Sequence, residues 1–195
     1  NRVWSWLMGR GIVHEPDDIR PENPPVNPEL LAFLGQELVS SGYDMKHLFR
    51  VILNSRTYQR SSIPRTAGAA AESHCAYYPL RRLEAEVLID AICAITGTTE
   101  QYWSAIPEPF TYIPPYLRTV QLPDGSITSA YLEMFGRSPR DTGREAERNL
   151  RVSTAQRLYL LNSSHIQRKI RSGPALQKLF SSSGDRRTAV DRIYL

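Results

Sequence analysis

The 195-residue sequence predicts a mainly α fold: an irregular multi-helix domain with long Pro-rich loops and at most a small β-hairpin. Three observations predict this class. Apolar side chains recur at helical spacing in several segments. Capping residues and glycines bracket those segments as start and stop signals. Most of the 14 prolines fall between the segments, where they prevent regular structure.

The first 60 residues predict three helices. A helix over 1–9 ends at Gly9, and residues 10–27 are expected to be loop because they hold four prolines. Asn27 and the proline after it form a strong helix start, and Gly42 ends that helix. A further helix is predicted to run from its cap Asp44 to about Arg60. A short turn would make the last two an antiparallel helical hairpin.

The rest of the chain alternates between loops and helices. Residues 61–79 are predicted to be a long loop, followed by a helix from Arg81 to Thr96 that Gly97 ends. Residues 98–128 are predicted to be irregular, with at most a short strand pair that joins Leu117–Leu122 to Ile127–Ala130 through a turn at Asp124-Gly125. The remaining helices are expected at 131–135, 153–162, 164–171, 174–181 and 185–195.

The chain is interpreted as one helical domain over 1–195 and as a fragment of a larger multi-domain protein. It begins without an initiator Met, in a segment that already has a helical pattern, and it stops inside another such pattern. Its long loops, 61–79 and 98–128, exceed ordinary connectors. Loops of that length are usually functional or ordered by packing.

Composition and charge narrow the function classes. Hydrophobic residues make up 41% of the chain, and no apolar run approaches the roughly 18 residues that a membrane span needs. The net charge is +4, carried by 21 Arg and only 3 Lys. Arginine suits bidentate pairing with carboxylates, phosphates or sulfates. The basic residues are spread along the chain and offset by acids, so no nucleic-acid groove is expected.

No cofactor or metal is expected in this chain. The two cysteines, Cys75 and Cys93, allow a disulfide but make a weak framework, and no haem-attachment motif is present. His14 to Asp18 supply four potential metal ligands, yet their spacing matches no established metal loop. We interpret this segment as loop capping with ion pairs to Arg10 or Arg20. No nucleophile elbow or phosphate-binding loop occurs.

Helical geometry separates the charges of the 81–96 helix from its apolar residues. Arg82, Glu86 and Asp90 recur every four residues and form one stripe, which is either a solvated face or a functional stripe against another element or ligand. Glu84 projects into the predicted apolar side. The apolar side comprises Leu83, Val87, Leu88, Ala91, Ile92 and Ile95.

Two further regions carry open alternatives. The segment Arg137–Arg151 is densely charged and forms either a surface with many salt bridges or a patch that binds an anion or a partner. The aromatic residues of the irregular region form either a carbohydrate-stacking platform or the packing that holds long loops to the core. These aromatics are Tyr102, Trp103, Phe110, Tyr112 and Tyr116.

An ordered set of motifs resembles the planctomycete-type domain of unknown function 1553, also called the PSD1 domain, over nearly the whole chain. The motifs are Asn1-Arg2-Val3-Trp4 with Gly9-Arg10-Gly11-Ile12-Val13, Asp17-Asp18-Ile19-Arg20 with Asn23-Pro24-Pro25, Pro28-Glu29-Leu30-Leu31, Ser55-Arg56-Thr57-Tyr58-Gln59, Arg81-Arg82-Leu83-Glu84-Ala85-Glu86 with Asp90-Ala91, Phe135-Gly136-Arg137, and Leu160-Leu161-Asn162.

The resemblance implies an exported bacterial protein, periplasmic or at the cell surface, with cytochrome c-like or lectin-like domains in the same chain. It implies no established activity. This chain has Arg144-Glu145-Ala146-Glu147-Arg148 where family members often show Cys-Glu-Cys-Glu-Arg, so anything those cysteines do is lost here. The resulting candidate ionic or binding cluster comprises Arg2, Trp4, Arg10, Asp17, Asp18, Arg20, Arg82, Glu86, Asp90, Glu147 and Arg148.

Three functions follow as hypotheses. The first is a helical scaffold without its own cofactor that docks neighbouring domains of the parent chain or binds a ligand, such as a polysaccharide. The second is a carbohydrate-active enzyme that uses two of the carboxylates across a cleft, about 5 to 10 Å apart. The third is a docking partner for a fused cytochrome c-like domain. Full pairing of the carboxylates with arginines would favour the scaffold, and carboxylates with raised pKa in an open pocket would favour the enzyme.

Overall fold

The computed structural model describes residues 1–65, 68–104, 106, 112–122, 127–137 and 148–194. The described residues form helices and loops without a strand, which confirms the mainly α class. They divide into two compact units. The first unit is residues 1–81, and the second unit comprises the described residues from 82 to 194.

The first unit packs its helices around one apolar cluster. Helices α1 and α2 both contact α3. The cluster centres on Trp4, Met8 and Ile52, with Leu34 and Leu48 added from the hairpin. The helices of this unit are α1 (Arg2–Met8), α2 (Pro28–Ser40), α3 (Met45–Leu53) and α4 (Ala69–Ser73).

The predicted start and stop signals of this unit are confirmed. The side chain of Asn27 accepts a hydrogen bond from the Leu30 amide at 2.9 Å, and Gly9 ends α1 in the left-handed conformation. Helix α3, however, ends at Leu53 rather than near Arg60. The Asn54 side chain donates to the Arg50 carbonyl at 2.8 Å. Such a short polar side chain offers the backbone an alternative to continuing the helix.

In the second unit, α5 contacts α6, α8, α9 and the short 3-10 helix η1. The core cluster forms around Ile89 of α5 and the stacked rings of Tyr131 and Phe135. The elements are α5 (Ala85–Thr96), η1 (Thr119–Gln121), α6 (Ala130–Met134), α7 (Thr154–Asn162), α8 (Ser164–Ser172), α9 (Pro174–Ser182) and α10 (Arg186–Tyr194). The last five match the predicted helices within one or two residues.

The predicted strand pair is wrong. Thr119–Gln121 turns into η1 because the Asp90 carboxylate accepts hydrogen bonds from two consecutive amides of that segment. The would-be partner strand ends in α6, whose start the Ser129 hydroxyl caps by accepting from the Leu132 amide. The predicted turn at 124–125 lies outside the described residues.

The predicted burial of the 81–96 helix is only partly correct, since Leu88 and Ile92 pack against the core as predicted. The helix begins at Ala85, and its buried side holds Glu86 and Ile89, whereas Val87 and Ile95 of the predicted apolar side are exposed. Glu84 precedes the first turn with a side chain 42% exposed instead of projecting into an apolar side. The prediction failed for Glu86 and Asp90 because it placed charged side chains toward solvent. In the structure, the Glu86 carboxylate contacts arginines and the Asp90 carboxylate accepts from backbone amides.

No helix in the described part of the chain is long and apolar enough to cross a membrane. Neither Cys75 nor Cys93 forms a disulfide.

Candidate functional site

A buried ionic cluster in the second unit centres on Glu86. Its carboxylate lies 3.2 Å from the Arg137 Nε and 3.0 Å from an Arg148 guanidinium nitrogen. The Glu86 side chain is only 7% exposed, and that of Arg137 is 8% exposed. Arg148 also reaches Glu84 at 3.5 Å. Of the two interpretations of the charged stripe, the solvated face is therefore wrong for Glu86.

Arg82 precedes α5 and connects backbone segments of the second unit. Its guanidinium donates to the carbonyls of Phe135 at 2.8 Å and Asn149 at 3.3 Å. The same group lies 5.3 Å above the centre of the Phe135 ring, within cation–π range. Arg82 therefore links the C-terminal end of α6 to the segment around Asn149 through hydrogen bonds.

Asp90 caps η1 rather than lining a cleft. Its carboxylate accepts from the Thr119 amide at 2.8 Å and from the Val120 amide at 3.2 Å. Arg118 approaches the same carboxylate at 3.6 Å. The Asp90 side chain thus has a structural partner for each oxygen.

The first unit contains two ion pairs of the predicted candidates. Arg2 pairs with Asp17 at 2.6 Å, and Arg20 pairs with Asp18 at 2.9 Å. The predicted pairing of this loop with Arg10 or Arg20 is therefore formed by Arg20, and the Arg10 Nε is buried without a hydrogen-bond partner among the described residues. The loop is also held by Asn1, whose side chain exchanges hydrogen bonds with the backbone of Val13 and bonds the Pro16 carbonyl.

Trp4 and Glu147 complete the predicted set. Trp4 is buried in the first core and lines a cavity of about 230 Å³ whose wall also holds Leu30 and Cys75. Burial raises the pKa of the Cys75 thiol, so it rests protonated. Glu147 lies outside the described residues.

A second ionic network, which sequence reasoning missed, centres on Glu100. The Glu100 carboxylate lies 2.6 Å from the Lys169 Nζ and 2.8 Å from the His165 Nε2. The Glu100 side chain is 13% exposed and that of Lys169 is 7% exposed. Burial alone would raise the pKa of Glu100, but the hydrogen bonds from His165 and Lys169 hold it below its ordinary value. Glu100 is therefore ionised and fixed in place.

The partners of Glu100 are themselves held from other elements. Lys169 donates to the Thr98 hydroxyl at 3.2 Å and the Thr99 carbonyl at 3.1 Å. The His165 Nδ1 is 3.1 Å from the Tyr159 hydroxyl. Tyr159 lies on α7, and His165 and Lys169 lie on α8. The position of the Glu100 carboxylate therefore depends on how these two helices pack.

Glu100 lines a cavity of about 200 Å³ in the second unit. Trp103 stands at this cavity with 81% of its surface exposed, whereas Tyr102 is buried and hydrogen-bonded to the Thr119 hydroxyl at 2.7 Å. The other lining residues are Gln101, Ile113, Pro114, Pro115 and Leu117. The cavity thus combines an aromatic ring open to solvent with the polar residues Glu100 and Gln101.

Of the two alternatives for the aromatic residues, loop packing is confirmed for Tyr102. Tyr102 packs the loop, as its burial shows, while Trp103, Tyr112 and Tyr116 are exposed. Phe110 lies outside the described residues. Sequence spacing indicated the aromatics but not Glu100, because its partners are 65 and 69 residues further along the chain.

The described residues thus define an all-helical protein with two ionic networks and a cavity that an exposed tryptophan borders. The chain belongs to the PSD1 family, a protein of unknown function (DUF1553), whose family model matches residues 1–194. This match confirms the resemblance that the motifs indicated. No curated protein and no solved structure matches the chain.

Proposed function

We propose that this chain is a non-catalytic helical module of a larger exported protein and that it binds a saccharide at the cavity beside Trp103. The observation that carries the proposal is the 81% exposure of Trp103 at a cavity that Glu100 also lines. Large aromatic side chains are usually buried, and ligand pockets are often lined by aromatic residues. An exposed tryptophan at the edge of a cavity is therefore typical of a binding site.

The lining fits the chemistry of a sugar. The apolar face of a pyranose ring stacks on an indole, which offers contact area at little entropic cost. Sugar hydroxyls are donors, and Glu100 and Gln101 present acceptors. Because Lys169 and His165 keep Glu100 ionised, its free lone pairs accept charge-assisted hydrogen bonds, which are the stronger kind.

The enzyme alternative finds less support in the candidate carboxylates. A general acid needs a proton at working pH, and a base needs an accessible lone pair. Asp17 and Asp18 are paired with arginines, Glu86 contacts two arginines, and Asp90 caps η1. These contacts suit carboxylates that hold the fold together.

The proposal is tested by titrating a panel of neutral and acidic oligosaccharides into the chain and measuring heat and melting temperature. A saccharide that binds the folded state raises the melting temperature by mass action. We expect Trp103→Ala to abolish that rise without lowering the melting temperature of the free protein, because the ring is exposed.

Phe33→Ala removes a partly exposed ring from α2 in the first unit and serves as the matched control. It should leave the saccharide response unchanged. A response that survives Trp103→Ala, or no response to any saccharide of the panel, would contradict the proposed function.

A further inference from the structure

Charge is distributed very unevenly along the second unit. Residues 148–195 contain ten Arg or Lys and two Asp, a net charge of +8. Residues 82–147 contain five Arg and ten Asp or Glu, a net charge of −5. The chain therefore contains a strongly basic segment although its net charge is only +4. The prediction that the basic residues are spread evenly and offset by acids is wrong for this segment. Such asymmetry within a chain indicates an acidic partner.

Apart from Arg148 and Lys169, which pair with glutamates, the basic side chains of this segment are exposed. Helices α7 and α8, α8 and α9, and α9 and α10 pack against each other in sequence, so these cations belong to one continuous group of helices. Among the described residues these cations make no ion pair. We call this set the cationic surface: Arg157, Arg168, Arg171, Lys178, Arg186 and Arg187.

Helix α8 joins the cationic surface to the cavity. His165 and Lys169 project from α8 to Glu100, which lines the cavity. At 100° per residue, Arg168 lies 60° from His165 around the axis of α8, and Arg171 lies a further 60° away, so the exposed cations begin beside the Glu100-facing side of the helix. Helix α8 therefore carries both the partners of the cavity residue Glu100 and two members of the cationic surface.

We propose that the ligand is an anionic polysaccharide, a polymer of sugars that carries carboxylate or sulfate groups. One ring lies against Trp103, and the acidic groups of adjacent rings contact the cationic surface. Arginine supplies five of the six cations, and its planar fork matches both carboxylate and sulfate. This inference rests on the proposed function, because it adds charge recognition to the same saccharide site.

Two other polyanions fit the cavity less well. A nucleic acid strand offers few sugar hydroxyls to the acceptors of the cavity, because the hydroxyls of its backbone are esterified to phosphate. An anionic membrane would contact the cationic surface but would not fill a cavity lined by hydrogen-bond acceptors. Sugar hydroxyls, in contrast, donate to those acceptors.

The test measures the affinity of the whole chain for dextran, dextran sulfate and oligogalacturonate by calorimetry at fixed salt. Arg168→Ala/Arg171→Ala/Lys178→Ala removes three exposed cations of the cationic surface. The control Lys46→Ala/Arg50→Ala/Arg56→Ala removes three exposed cations of the first unit. Single-stranded DNA and phosphatidylserine vesicles serve as the competing polyanions.

We expect the first triple variant to bind an acidic polysaccharide at least about tenfold more weakly than the control variant does. Trp103→Ala should weaken the same binding. A response to dextran sulfate alone or to oligogalacturonate alone would identify the acidic group as sulfate or carboxylate.

The failures of the two proposals are distinguishable. Tryptophan-dependent binding that is no tighter for acidic than for neutral saccharides overturns this inference and leaves the proposed function intact. Binding of acidic saccharides that ignores Trp103→Ala overturns both. Binding of DNA or vesicles that needs the cationic surface, without binding of acidic saccharides, assigns the surface to that partner instead and also overturns the inference.

Discussion

Glu86 shows at the residue scale how a charge is tolerated inside this protein. Removing it leaves Arg137 and Arg148 without the carboxylate that both contact, and Arg137 is nearly inaccessible to water. Loss of one partner from a buried pair costs about 3–5 kcal/mol. We expect Glu86→Ala to lower the free energy of unfolding by about that amount in urea denaturation followed by circular dichroism.

Glu84 provides the control for Glu86, because it pairs with the same Arg148 from an exposed position. Exposed pairs contribute at most about 1 kcal/mol, so Glu84→Ala should change the unfolding free energy by less than that. Equal losses in the two variants would mean that Glu86 is not the centre of the cluster.

Glu100 predicts a pH dependence with a definite sign. Its pKa in the folded state lies below the ordinary value of 4.5, because the hydrogen bonds from His165 and Lys169 favour the ionised form. The stability that it contributes is therefore full above pH 4.5 and is lost as pH falls through the lower folded-state pKa. We expect Glu100→Gln to cost about 3 kcal/mol at pH 7 and progressively less as the pH falls below 4.5.

The measurement is the unfolding free energy of both proteins at a series of pH values. Glu37→Gln is the matched control, because Glu37 also pairs with a histidine, His47, but in an exposed setting. Its cost should be small throughout. A difference between wild type and Glu100→Gln that stays constant from pH 7 to pH 3 would rule out the ionised network.

At the scale of elements, the junction of α5 with α9 brings Gly97 close to the first turn of α9. Gly97 ends α5 with φ of +72°, and a Cβ there would lie 2.9 Å from the Ala175 Cβ. Gly42 has nearly the same φ, +68°, but open space around it. We expect Gly42→Ala to cost about 1 kcal/mol for the left-handed conformation, and Gly97→Ala to cost about 3 kcal/mol because the clash is added.

Urea denaturation of the two glycine variants gives the comparison directly. The difference between their costs isolates the packing of α5 against α9, since the backbone strain is common to both. Indistinguishable costs would show that Ala175 moves aside without penalty.

Local signals explain which elements were predictable from sequence. Asn27, Ser153 and Gly97 determine helix ends through hydrogen bonds and backbone geometry within a few residues. The buried side of α5 and the η1 helix were not predictable, because both depend on partners far along the chain. Asp90 accepts from amides 29 and 30 residues further along the chain. A helical wheel shows only the positions of residues within one helix, so it cannot reveal such partners.

The same reasoning applies to the candidate site. Trp103 and Tyr102 were both among the predicted aromatics. The structure buries Tyr102 and exposes Trp103, and sequence spacing does not reveal this difference in burial. Glu100 had no neighbour in sequence that indicated a network. Its partners lie on α8, and only the packing of that helix beside residues 98–100 brings them together.

At the scale of the whole molecule, the distribution of charge matters more than its sum. Binding to a charged surface depends on how densely the cations cluster on the side that faces it. The triple variants of the cationic surface and of the first unit have the same net charge, since each loses three cations. We expect the variant of the cationic surface to elute from a sulfonate cation-exchange column at a clearly lower salt concentration than the variant of the first unit.

This elution test separates clustering from net charge without any knowledge of the natural ligand. The sulfonate groups of the resin contact whichever region of the protein holds them most strongly. If α7–α10 form that region, loss of Arg168, Arg171 and Lys178 weakens retention directly, whereas loss of distant cations does so only through long-range potential, which salt screens beyond about 10 Å. Co-elution of the two variants would mean that these cations do not act together, and a polyanion would then find no preferred surface on α7–α10.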